Sequence, residues 1–210
     1  MNIDTALIVI DMQRGIQQWD GRPRNNPDAA LRILELLKAW RLVGGPIVHV
    51  RHVSRDPESV FAPGQPGALF HPDLEPQPNE AVFEKNVTDA FAHTGLERWL
   101  HVRGFSRIAL TGVATENSVE STARTAGCLG FEAWVVDDAC FTFAKSDYRG
   151  RARSAEDVHD MALANLHGEF AQVTDCRRLL QVCAPNTLPV GAESALTVKW
   201  QCDTIFLPKK

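Results

Sequence analysis

Short apolar runs alternate with amphipathic stretches along nearly the whole chain, and this alternation constrains the fold more than any other feature. The runs TALIVID (5–11), PIVHVRHV (46–53), RIALTG (107–112) and EAWVVDD (132–138) are almost continuously apolar. Such runs suit strands buried on both faces, as in a parallel sheet whose crossover helices cover it. Between them the period changes. Asn26 is placed as a helix cap and Pro27 at the first helical position, with Leu31, Leu34, Leu37 and Trp40 recurring until Gly44-Gly45 ends the helix. A short strand at 81–83 leads to Lys85, and Thr88 caps helical sequence running through Leu100. A small-residue helix spans 118 to about 128 and is closed by Gly130, Ser154 with Asp157 opens another helix, and FAQVT (170–174) offers a last strand. The expected fold is α/β: a doubly wound parallel sheet with helices on both faces, in a three-layer, Rossmann-like arrangement.

With 210 residues the chain is long enough for one domain with a substantial core, taken as 1–183. Residues 184–210, with the apolar pieces ALTVKW and TIFL, are expected to pack on the body or on a neighbouring subunit. The net charge of −4, with Lys and Arg scattered, argues against a nucleic-acid partner. The start MNIDTALIVIDMQ lacks a basic signal-peptide region and no stretch is long and apolar enough to span a bilayer, so a cytoplasmic location without membrane contact is expected. The cysteines at 128, 140, 176, 183 and 202 are odd in number and form no CxxC pair, which suits reduced structural thiols.

In an open parallel sheet, ligands collect where strands end at their carboxyl side, so residues just after each apolar run carry the chemistry. Asp11, Lys85 and Ser118 hold those places and offer a carboxylate, an ammonium and a hydroxyl to one rim. The Pro- and Gly-rich segment 54–80 reads as a long loop covering the pocket together with 141–153. Gln13 and Asn117 flank the rim and are candidates to bind a substrate amide or carboxylate, although turn-stabilising hydrogen bonds explain them nearly as well. Trp19, Phe61 and Phe70 are candidate pocket walls and His71 a candidate substrate contact. His49 and His52 read as core or rim residues, His167 as structural, Glu84 as pointing away, and Gly112 as serving a tight turn.

Three segments, LIVIDMQRG, FEKNVTDAF and GVATENSVESTA, together with VHDMALANLHGEFAQV, make the chain resemble the isochorismatase-like cysteine hydrolases from about Thr5 to Leu180. The third segment matches the family pattern G-x-x-T-x-x-C-V-x-x-T-A except at Ser118, where the family has cysteine. The resemblance implies hydrolysis of a small amide, ureide or related C–N compound through a covalent acyl-enzyme. In that scheme Asp11 takes the nucleophile's proton and Lys85 supports the charged forms. It further implies a cis peptide at Val113–Ala114, an oxyanion hole from the amides of Ala114 and Ser118, and a homodimer or homotetramer. The D-x-H pair with which nicotinamidase-type relatives bind metal is absent from RHVSRD, so neither metal nor cofactor is expected.

Serine at position 118 leaves several readings open. An alcohol ionises far less readily than a thiol, so the serine fits an engineered, inactivating replacement of cysteine, which the intact remainder of the motif favours. It also fits a natural isochorismatase-type enzyme in which Asp11 protonates a vinyl ether and residue 118 is a bystander. A natural serine amidohydrolase is the third reading, opposed by the lack of a histidine at motif spacing. A binding or scaffold protein that kept the fold and lost catalysis is the reading from another class.

Overall fold

The structure is a computed structural model that describes residues 4–18 and 21–183. Trp19, Cys202 and the expected tail from 184 onward lie outside the described residues. The main sheet contains β1 (Thr5–Ile10), β2 (Ile47–His52), β3 (Ala81–Lys85), β4 (Arg107–Val113), β5 (Glu132–Phe141) and a later strand, Gln172–Thr174. A small antiparallel pair, β6 (Lys145–Ser146) and β7 (Ala152–Arg153), precedes that last strand, which is therefore β8. The order is β3-β2-β1-β4-β5-β8, with every pairing parallel. The chain runs outward from β1 through β2 to β3, then crosses back to β4 on the other side of β1. The crevice above β1 and β4 is therefore the switch point at which such sheets bind ligands.

Alternation along β1 feeds two cores. Leu7 and Val9 face α1 (Ala29–Leu42) and the C-terminal helix Cys176–Cys183, while Ala6, Ile8 and Ile10 face α2 (Leu96–Val102), α3 (Glu120–Cys128) and α4 (Ala155–Leu166). Trp40 pins α1 to the sheet by burying its indole and donating Nε1–H to the Thr5 carbonyl at 2.9 Å. The capping box of Ser154 and Asp157 is present at the start of α4. Among the described residues no helix is long and apolar enough to cross a membrane. Cys128, Cys140 and Cys176 are free, and burial pushes the Cys140 and Cys176 thiols well up, which keeps them unreactive.

Several local expectations are corrected. The buried residues of α1 are Ala29, Ile33, Leu36, Leu37, Ala39 and Trp40, while Leu31 is 59% exposed. A strict three-residue repeat drifts around a 3.6-residue helix, and only the mixed three-and-four spacing stays on one face. Asn26 does not cap this helix. Its side chain reaches across to donate to the carbonyls of Asp137 (2.8 Å) and Cys140 (2.7 Å). Thr88 caps no helix either, because α2 starts only at Leu96. The intervening backbone is taken by side chains: Asp89 accepts from the Phe91 amide at 2.9 Å, and Thr94 donates to the Ala90 carbonyl at 2.6 Å. The helix Cys176–Cys183 is an addition to the elements expected from sequence.

The segment 54–80 is fastened rather than loose. The Glu80 carboxylate, buried at the start of β3, accepts from Arg41 Nε (2.7 Å) and lies 2.8 Å from His49 Nε2. Burial alone would raise the Glu80 carboxyl, but hydrogen bonds from Arg41, the Gln77 amide and His49 hold it below the usual carboxylate range. Burial pushes His49 down, so its neutral ring donates Nε2–H to Glu80 and leaves only a lone pair at Nδ1, which has no partner among the described residues.

Gly112 sets the approach of β4 to β1. Its φ is +122°, and a Cβ there would lie 2.0 Å from the Ile10 carbonyl oxygen, a backbone atom that cannot swing aside. Gly112→Ala is expected to destabilise the fold by more than about 1 kcal/mol, read as a lower urea midpoint. An unchanged midpoint would contradict this packing.

Candidate active site

Strand ends place the three charged or polar groups. Asp11 follows β1 with a φ of +53°, and its amide donates to the Val50 carbonyl at 2.8 Å, which ties the residue to the neighbouring strand. Lys85 is the last residue of β3 and reaches past the end of β2 into the crevice. Its Nζ donates to Asp11 Oδ2 at 2.6 Å, to Ser118 Oγ at 3.1 Å and to the Val87 carbonyl at 3.1 Å. These three bonds use all the donors an ammonium has. The side chains of Lys85 and Asp11 are 0% and 8% exposed, so a full ion pair sits inside the protein.

Ser118 stands on a π-type turn, Thr115–Val119, between β4 and α3. The peptide Val113–Ala114 before it is cis, as the resemblance implies. Four contacts brace the turn. Thr115 Oγ1 lies 2.8 Å from His159 Nδ1 on α4, Thr122 Oγ1 donates to the Ser118 carbonyl at 2.7 Å, and Glu116 accepts from Lys145 at 2.8 Å and from the Thr142 hydroxyl. Burial pushes the Asp11 carboxyl up, against the opposing pull of the Lys85 charge and its hydrogen bond. Asp11 Oδ1 is buried without a hydrogen-bond partner among the described residues.

A cavity of about 210 Å³ opens over these groups, with Asp11, Ser118, Ala114, Asn117, Gln13 and Phe61 in its lining. Ile16, Val113, Thr88 and His52 complete the wall. Lys85 lies beneath this surface. Gln13 lines the cavity, but its amide is spent: Nε2 donates to the carbonyls of His52 (2.9 Å) and Ala68 (3.0 Å), and Oε1 accepts from the His52 amide (2.8 Å). Phe70 is not in the wall. It bridges Gln13 through the backbone and turns its ring edge-on to His49 at 5.8 Å. His71 is also outside, where its Nδ1 accepts from the Asp73 amide at 3.2 Å. His167 accepts from the Val173 amide at 3.1 Å, and Glu84 is exposed and paired with Arg51.

Ile16 is a cavity residue that the sequence did not single out, Thr88 lines the cavity instead of capping a helix, and His52, read as a core or rim residue, lies at the cavity wall. His52 ends an apolar run just as Asp11 does, and the same strand-end rule picks it out once β2 is seen to pair with β3, with His52 opposite Lys85. A larger hollow of about 370 Å³ lies at the amino ends of β2 and β3, lined by Arg41, Glu80, Trp99 and Arg103 among others. It is remote from Ser118, and the Glu80 oxygens in it are already engaged by Arg41 and His49. Among the described residues no group of His, Cys, Asp and Glu has the arrangement of a metal site.

An open parallel sheet with a buried carboxylate, ammonium and hydroxyl gathered at its switch point defines an α/β enzyme that works at strand ends. The isochorismatase domain matches residues 5–178, and the chain belongs to that family and is a hydrolase. An isochorismatase-family protein of known structure from Chromobacterium violaceum is 45% identical, with a TM-score of 0.84 over 87% of this chain and 95% of that one. The uncharacterized isochorismatase family protein YrdC of Bacillus subtilis is 31% identical over 83% of this chain and 94% of its own length. Nicotinamidase 3 of Arabidopsis thaliana is 29% identical over 83% of this chain and 86% of its own.

Removing the ammonium should expose how much the buried pair depends on it. Lys85→Met strands the Asp11 carboxylate, and breaking a buried pair in this way costs about 3–5 kcal/mol. Burial raises the folded-state pKa of Asp11, so protonation relieves the defect: stability is retained at low pH and lost as pH rises through the folded value. Urea unfolding should therefore show a larger loss in the variant at pH 7.5 than at pH 5. An equal loss at both values would contradict the pairing.

Proposed function

We propose that the protein hydrolyses the C–N bond of a small amide or ureide through an acyl-enzyme formed on Ser118. The observation that carries this reading is the Lys85 ammonium, which contacts both Asp11 Oδ2 and Ser118 Oγ. A cation at that distance stabilises negative charge on Oγ as it attacks a carbonyl carbon. Burial pushes the Asp11 carboxyl up against the opposing pull of Lys85, and its Oδ1, without a partner among the described residues, supplies an acceptor for a nucleophile or substrate N–H. The amides of Ala114 and Ser118, at the entry to the turn and helix, are the oxyanion donors in this scheme.

Substrate size follows from the cavity, whose volume of about 210 Å³ suits a compact molecule. Ile16, Phe61 and Val113 offer apolar walls, and the exposed Asn117 offers an amide to a polar substituent. The nicotinamidase relative supports an amide as the bond cleaved. Gln13 and Phe70 have no substrate role in this reading, since the first is bonded to His52 and Ala68 and the second stands behind the wall.

The test is ammonia release from a panel of small primary amides and ureides, comparing the protein with Ser118→Ala and Ser118→Cys. Alanine should lower turnover at least about 10³-fold, as removal of a nucleophile does, while cysteine should preserve cleavage of the same substrates. If Ser118→Ala turns over as fast as the parent, the acyl-enzyme is excluded. Vinyl-ether cleavage with Asp11 as the acid would then become the better reading.

A further inference from the structure

We infer that His52 is the catalytic base of the second half-reaction, taking a proton from the water that opens the acyl-enzyme. The inference rests on the acyl-enzyme reading above. His52 ends β2 directly opposite Lys85 on β3, and its side chain lines the same cavity of about 210 Å³ as Ser118 and Asp11. A molecule occupying that small volume meets the imidazole as well as the hydroxyl.

Two features argue that the position is held for a purpose. The entire side-chain amide of Gln13, a buried residue, is committed to the His52 backbone and to Ala68, so the last residue of β2 is clamped at both its N–H and its C=O. The Phe61 ring stands edge-on to the imidazole at 6.2 Å and limits its rotation. Charged groups facing the ring are Asp11 and Lys85, which pull in opposite directions, and the Val87 carbonyl lies beside it. Burial, the largest influence, pushes His52 below the ordinary imidazole range, so the ring is neutral and able to accept a proton at neutral pH.

Chemistry supplies the need. A serine ester is opened only by an activated water, and a base titrating near the working pH is the most effective activator. Asp11 is less suited, because the ammonium 2.6 Å from Oδ2 offsets its charge. In the step, the water oxygen bonds to the acyl carbon while His52 accepts one water proton. The bond from carbon to Ser118 Oγ then breaks, His52 returns that proton to Oγ, and the carboxylic acid leaves. The Lys85 contact with Asp11 takes no part in this transfer.

The experiment uses p-nitrophenyl acetate with the full chain, His52→Gln and Ser118→Ala. The fast nitrophenolate burst reports acylation and the slow phase reports water attack. His52→Gln should keep the burst, lower the slow phase about 10²-fold or more, and accumulate an acetyl adduct by intact mass spectrometry. The slow phase of the parent should fall on acidification below the ordinary imidazole range, and the variant should lose that limb. An unchanged slow phase in His52→Gln, or burst and slow phase reduced together, overturns the role of His52 while the Ser118 acyl-enzyme stands. Absence of both burst and adduct in the parent overturns the acyl-enzyme reading and this inference with it.

Discussion

The contact on which the site depends is the bond between the Lys85 ammonium and the Asp11 carboxylate, made at 2.6 Å with both side chains out of solvent. Burying two charges is costly, and the pair persists because its geometry is close and the remaining ammonium donors are satisfied by Ser118 Oγ and the Val87 carbonyl. The third group therefore stands where it completes the hydrogen bonding of the ammonium. This accounts for the placement of a hydroxyl, otherwise unremarkable on a helix-entry turn, against a fixed positive charge.

Sheet topology makes that contact available. Asp11 and Lys85 sit at the ends of strands separated by β2, and the return crossover to β4 delivers the Ser118 turn to the same rim. Each support is short-range: the Asp11 amide bonds β2, Gln13 clamps His52 and Ala68, and His159 braces Thr115. The segment 54–80 closes one side and is held by Glu80 to Arg41 and His49, so the cavity is walled by residues fixed from both sheet and helix.

What could be read from the chain divides along physical lines. Asp11 is legible because it follows a buried apolar run, and such a strand announces its own end; Lys85 closes the half-exposed edge strand β3 and Ser118 lies on the turn beyond β4, so these two stand out through the segments FEKNVTDAF and GVATENSVESTA. The alternation of elements was likewise enough for the doubly wound class. Along α1, Leu37 and Trp40 are buried and Leu34 packs against the core, while Leu31 turns to solvent because a three-residue repeat resembles helical spacing over one turn and departs from it over three. The helix begun at Thr88 failed because Asp89 and Thr94 bond the backbone locally, a competition that propensity does not reveal. The end of β2 places His52 at the rim, and only its register opposite Lys85 on another strand shows which groups it faces. Gln13 and Phe70 were separated only by tertiary contacts, one entering the cavity wall with its amide already bonded, the other turned toward His49.

In the proposed reaction the Lys85 and Asp11 pair makes Ser118 Oγ the atom that takes the acyl group. The most direct measurement is acid quench of the protein during turnover of an amide substrate, followed by peptide mapping by mass spectrometry. An acyl mass on the peptide containing Ser118, localised to that residue, is the expected result. Product formation with Ser118 unmodified at every quench time, or acyl mass on another residue, would contradict it.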